Sequence, residues 1–72
     1  MKEIEINQEP VELYKILKFE GLASSGAEAK AAISRGEVQV NNEIETRKRK
    51  KIVRGDIILF EEEQFKITLQ NA

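Results

Sequence analysis

A chain of 72 residues that is 40% hydrophobic has material for one small core and no more. It contains neither cysteine nor histidine, which excludes disulfides, thiolate metal sites and imidazole-based acid–base or zinc chemistry. Its 12 basic and 13 acidic residues give a formal charge of −1, so bulk charge supplies no general affinity for polyanions. No apolar run reaches the length of about 18 residues that a membrane helix needs. The segment Met1–Ile6 alternates charged and apolar residues, unlike a signal peptide, so the expected address is the cytoplasm.

In chain order, Lys2 to Ile6 reads as a strand with Ile4 and Ile6 on one face. Pro10 suits the first turn of a helix, and Glu9 and Glu12 place negative charge near its positive end. Leu13, Ile16 and Leu17 follow at helical spacing and form a core-facing stripe. Gly21 supplies a helix stop and Leu22 its hydrophobic return, so the first helix is predicted over about Pro10 to Glu20. Ser25-Gly26-Ala27-Glu28 is a capping box that starts a second helix, ended by Gly36. Ala29, Ala32 and Ile33 line its inner side. Ala27, Lys30, Ala31 and Ser34 line the other, which reads as an exposed face of good helix formers or as a smooth surface able to approach phosphates.

Beyond Gly36 the period shortens to two. Val38 and Val40 alternate with polar residues, and Asn41-Asn42 makes a hairpin turn, since asparagine tolerates positive φ. Ile44 and Thr46 continue on the return strand. A basic segment follows, then Arg54-Gly55-Asp56 as a second turn. Ile57 to Phe60 and Gln64 to Leu69 are predicted strands joined by Glu62-Glu63. Phe19, Phe60 and Phe65 are assigned to the core, which leaves Tyr14 as the one aromatic free to stack. The pattern predicts a single α+β domain over 1–72, with two short helices packed on a small, mainly antiparallel sheet.

Catalysis needs a nucleophile with its base, convergent carboxylates or a metal site. Ser24, Ser25 and Ser34 have no histidine to activate them. Glu61-Glu62-Glu63 sends successive side chains to alternate faces, and the four glycines are scattered singly rather than gathered in a phosphate-cradling loop. The expectation is a binding module with no catalytic residue, no metal and no cofactor. Charge distribution supplies the binding chemistry: six of the eight residues in Arg47–Arg54 are basic and none is acidic. A local basic cluster on a neutral chain is a footprint of nucleic-acid contact.

The order of motifs is more specific than any one of them. Ser25 before Glu28-Ala29-Lys30 and Ile33 resembles a helix core of the form EA+xxI behind a capping serine. Gly36-Glu37-Val38-Gln39-Val40-Asn41-Asn42 resembles GxVxVNG, and Arg54-Gly55-Asp56 resembles a +xGD turn before an apolar strand. In this order the chain resembles the S4 RNA-binding domain family over about Leu13 to Leu59, most nearly its small stand-alone YbcJ-like branch. The resemblance implies that the second helix and the hairpin form an RNA-facing element known as the alpha-L motif. It implies RNA-binding roles for Ser25, Lys30, Arg35, Asn41, Asn42, the basic segment Arg47, Lys48, Arg49, Lys50 and Lys51, and Arg54. Gly26 stands where many members carry arginine, which removes one phosphate contact, and Asn42 replaces the hairpin glycine.

The scarcity of aromatics disfavours recognition led by base stacking. Neither helix carries base-reading side chains at successive exposed positions, so major-groove readout of DNA is disfavoured too. The expected partner is structured RNA, ribosomal RNA among the candidates, bound by a monomer through phosphates and shape. If the basic segment is regular strand, Arg47, Arg49 and Lys51 share one face and Lys48 and Lys50 the other, and the arginine-bearing face is the better phosphate clamp. The alternative reading is a protein-interaction module that docks an acidic partner on the same segment.

Overall fold

A computed structural model describes residues 1–70. Its elements are β1 (Lys2–Ile6), β2 (Val11–Glu12), α1 (Leu13–Phe19), α2 (Gly26–Ser34), β3 (Val38–Val40), β4 (Glu43–Ile44), β5 (Lys51–Ile52), β6 (Ile57–Phe60) and β7 (Glu63–Leu69). One sheet has the order β1-β7-β6-β3-β4, and β2 and β5 form a second, two-stranded one. Among the described residues only β1 and β7 pair in parallel; the other pairings are antiparallel. The architecture is the expected one, two helices on a mainly antiparallel sheet.

Both helices end in the same way, and the sequence says why. Gly21 and Gly36 have φ of +73° and +79°, a left-handed conformation that glycine adopts without a Cβ penalty. That reversal lets Leu22 N–H donate to Leu17 O and Gly21 N–H to Lys18 O; Glu37 and Gly36 repeat the pattern on Ala32 and Ile33. Leu22 then packs against the core. The core itself gathers Leu13, Ile16 and Leu17 from α1 and Ala29, Ala32 and Ile33 from α2 over Ile4, Val38, Val40, Ile58, Phe65 and Ile67. In β6 burial alternates, so Ile58 and Phe60 are buried while Ile57 and Leu59 are half-buried.

Four expectations are corrected. First, α1 begins at Leu13 rather than Pro10. Val11 and Glu12 pair instead with Ile52 and Lys51, and the first free N–H groups of α1 are taken by the loop: Leu13 donates to Lys50 O and Tyr14 to Lys48 O. Second, Phe19 is 69% exposed. It lies two residues past Leu17, about 200° round the helix from that core position. Third, the return strand β4 is only Glu43–Ile44, and Thr46 lies outside it. Fourth, Arg47–Lys50 is not strand; the chain turns at Lys48-Arg49, with Lys50 N–H donating to Arg47 O at 3.1 Å.

The connector between β6 and β7 also shifts by one residue, since Glu61 and Glu62 take positive φ and Glu63 already belongs to β7. Among the described residues, no helix is long and apolar enough to cross a membrane.

Candidate nucleic-acid interface

The basic segment is an irregular loop whose shape is set by its own backbone and by one carboxylate. Its carbonyls at Lys48 and Lys50 cap the start of α1, which ties the loop to a rigid element. At the other side Glu45, with a side chain only 13% exposed, accepts from Arg47 three times: the backbone N–H at 2.9 Å, Nε at 2.9 Å and Nη2 at 3.0 Å. The Arg47 side-chain hydrogen bonds, reinforced by its backbone N–H and by the Arg47 and Lys50 charges, hold the Glu45 carboxyl down to about 2 against some opposing burial. The loop then rejoins the fold through Ile52, which is fully buried. The five cations Arg47 to Lys51 line one concavity of ≈ 590 Å³.

With the loop irregular, the alternating-face rule for Arg47, Arg49 and Lys51 does not apply, and a different division takes its place. Every arginine in the chain has a carboxylate partner. Arg35 Nε lies 2.7 Å from Glu37 and its Nη2 3.4 Å from Glu28. Arg47 pairs with Glu45, Arg49 reaches Glu12 at 3.6 Å, and Arg54 reaches Glu9 at 3.8 Å. The Arg35 guanidinium, held by Glu37, titrates above its ordinary value, and the Glu37 carboxyl below its own for the same reason. Among the described residues, Lys30, Lys48, Lys50 and Lys51 have no such ion pair.

Lys30 is positioned by an aromatic instead. Its Nζ sits 4.6 Å from the centroid of the Tyr14 ring, and the Arg49 guanidinium lies 5.7 Å from the same ring. Tyr14 thus joins the outer face of α2 to the basic loop. The sequence marked Tyr14 as a free stacker; its structural position is that of a bridge, a role visible only once α1 and α2 are packed together.

The remaining predicted residues are placed as follows. Ser25 caps α2 by accepting from Glu28 N–H at 3.1 Å, but the Glu28 carboxylate turns to Arg35 rather than back to the cap. Asn41 and Asn42 occupy the β3–β4 turn with φ of 53° and 70°. The Asn41 amide donates to Asp56 at 3.1 Å and its oxygen accepts from Ile57 N–H at 3.0 Å, so its polar groups are used inside the fold. Asp56 also accepts from Val53 N–H, which fastens the Arg54-Gly55 turn. The Arg54 backbone N–H donates to Glu9 at 2.9 Å.

Lysines without a carboxylate partner thus lie on α2 and on the loop that Tyr14 joins to it. The family model described as S4 domain matches residues 4–68. The chain belongs to the S4 domain family. It is 54% identical over 50 residues, 69% of its length, to an Escherichia coli (strain K12) protein named "Putative RNA-binding protein YbcJ", covering 71% of that protein. A Shigella flexneri protein named "Uncharacterized protein YbcJ" matches to the same extent. The solution structure of YbcJ from E. coli, described as revealing an alpha-L motif involved in RNA-binding, superposes with a TM-score of 0.71 at 42% identity. That match covers 94% of this chain and 87% of the other. The S4 match begins at Ile4 and reaches Thr68, so it takes in β1 and β7 as well as the motif core seen in the sequence.

Proposed function

We propose that this chain is a non-catalytic S4-family module that binds structured RNA, ribosomal RNA among its candidates, as a single monomeric domain. The observation that carries the reading is the loop concavity lined by Arg47 to Lys51, joined to Lys30 through Tyr14. Lysines without carboxylate partners, Lys30, Lys48, Lys50 and Lys51, meet the phosphates first, each as a point charge tolerant of geometry. The arginines join only where phosphate displaces a carboxylate, so Arg47 and Arg49 act later in the encounter. Arg35 and Arg54 flank the surface, while Ser25, Asn41 and Asn42 shape it.

The test is an anisotropy titration over a salt series with a folded ribosomal-type RNA, a DNA duplex of equal charge and an acidic protein. Affinity for RNA is expected to fall steeply with salt, with a log–log slope of about 0.7–0.9 per phosphate contacted. Lys48→Ala with Lys50→Ala should flatten that slope more than Arg47→Ala with Arg49→Ala. Salt-independent binding overturns the electrostatic mechanism. Preference for the acidic protein makes the chain a protein-docking module, and no loss from either pair removes the loop from the site.

A further inference from the structure

The long edge of the main sheet is open. Among the described residues, β1 has β7 on one side and no strand on the other. The Ile6 carbonyl accepts from Gln70 N–H on the β7 side at 2.8 Å. Since backbone groups alternate sides along a strand, Glu3 and Glu5 direct their N–H and C=O groups outward. A concavity of ≈ 630 Å³ lies along this strand, and its lining includes Ile4, Ile6, Val11 and Ile16 together with the exposed Phe19. Its charged lining is Glu5, Glu12 and Glu20 against the single cation Lys15.

We propose that this edge docks an extended segment of a partner protein in which basic and apolar residues alternate, added as a further strand beside β1. The alternation follows from the pleat. Side chains level with Ile4 and Ile6 point to the helix layer and the concavity, where apolar groups meet Phe19. Side chains level with Glu3 and Glu5 point to the open face, where cations form cross-strand pairs with two carboxylates. A second copy is a poor occupant, because antiparallel pairing of two β1 strands about Ile4 sets Glu3 opposite Glu5. A phosphate backbone is repelled by the same carboxylates. The site lies apart from the basic loop except at Glu12, which lines the concavity and contacts Arg49, and it does not depend on the RNA reading.

The probe is a short peptide of alternating Lys and Val, titrated into the isotope-labelled full chain and followed by amide shifts. Saturable shifts are expected at Glu3, Glu5 and Phe19, weakening as salt rises. A Glu–Val peptide should bind roughly tenfold more weakly, the gap that two reversed cross-strand pairs supply. A central proline, which removes a ladder donor, should abolish binding. Phe19→Ser should weaken binding with an unchanged melting temperature, since Phe19 is exposed. Glu3→Lys with Glu5→Lys should invert the preference between the two peptides. Absence of binding, equal binding of both peptides, or shifts confined to the basic loop overturns the proposal. So does self-association through β1 without peptide, or a shift of Phe19 and Glu5 by folded RNA.

Discussion

The two turns beside the basic surface are fastened by different chemistry. At the β3–β4 hairpin, asparagines take the positive φ angles and the Asn41 amide bridges to Asp56 and Ile57. A neutral amide of short reach, meeting one carboxylate and one backbone N–H, does the holding. In the 45–50 loop, a buried-side carboxylate grips Arg47, and the carbonyls of Lys48 and Lys50 cap a helix more than thirty residues earlier in the chain. Residues 41–44 of the hairpin carry no cation, while the loop concentrates cations on a frame that one carboxylate keeps closed. Presenting clustered charge without dispersing it takes the second kind of fastening.

The sharpest way to break that comparison is to remove the anchor of the loop. Ile52 is fully buried at its far end and pairs with Val11. Ile52→Ala should cost about 2–5 kcal/mol, because the cavity left under a two-stranded sheet closes poorly. Urea denaturation followed by circular dichroism measures it. A cost near zero would mean that the loop is held by its polar contacts alone.

The hairpin gives a smaller effect and a finer one. Asn41→Ala loses the bond to Asp56, strands Ile57 N–H and forces alanine to positive φ, for a total of about 2 kcal/mol. Asn42→Gly keeps the required φ and should change stability by no more than about 0.5 kcal/mol. Comparison of the two melting curves isolates the side-chain bridge from the backbone turn. If both variants melt alike, the bridge contributes nothing.

These cases also show how much a sequence can say. The hairpin was legible because its determinants are local: asparagine at positive φ, flanked by alternating valines, has few other uses. The glycine stops of both helices and the Ser25 cap were legible for the same reason. The start of α1 was not, because the residues that satisfy Leu13 and Tyr14 lie at Lys50 and Lys48, and no local signal in Pro10 to Glu12 reports them. The exposure of Phe19 followed from its angular position, but a large aromatic near a core stripe argues for burial on composition. The basic residues were all visible in the sequence. The carboxylate partners of Arg49 and Arg54 were not, since Glu12 and Glu9 come from a distant segment, whereas those of Arg35 and Arg47 lie two residues away.

The smallest effect tests the carboxylate that closes the loop. Glu45 titrates near 2 against an ordinary value of 4.5, so its charged form is favoured by folding. A depressed carboxyl contributes stability that is complete above about pH 4.5 and is lost as pH falls towards 2. Linkage sets an upper limit of about 3 kcal/mol, but Arg47 is 71% exposed, and solvent screening reduces the contribution to about 1 kcal/mol. Glu45→Gln should therefore lower the urea midpoint at pH 7, and the gap from the native chain should narrow between pH 4.5 and 2. A gap that stays constant with pH would assign the loss to shape rather than charge. The same variant releases Arg47 at neutral pH. Its RNA affinity should rise, and its salt slope should steepen by about one phosphate contact, 0.7–0.9 log units. Stability and binding then move in opposite directions on one substitution, which a carboxylate serving only to fold the loop would not produce.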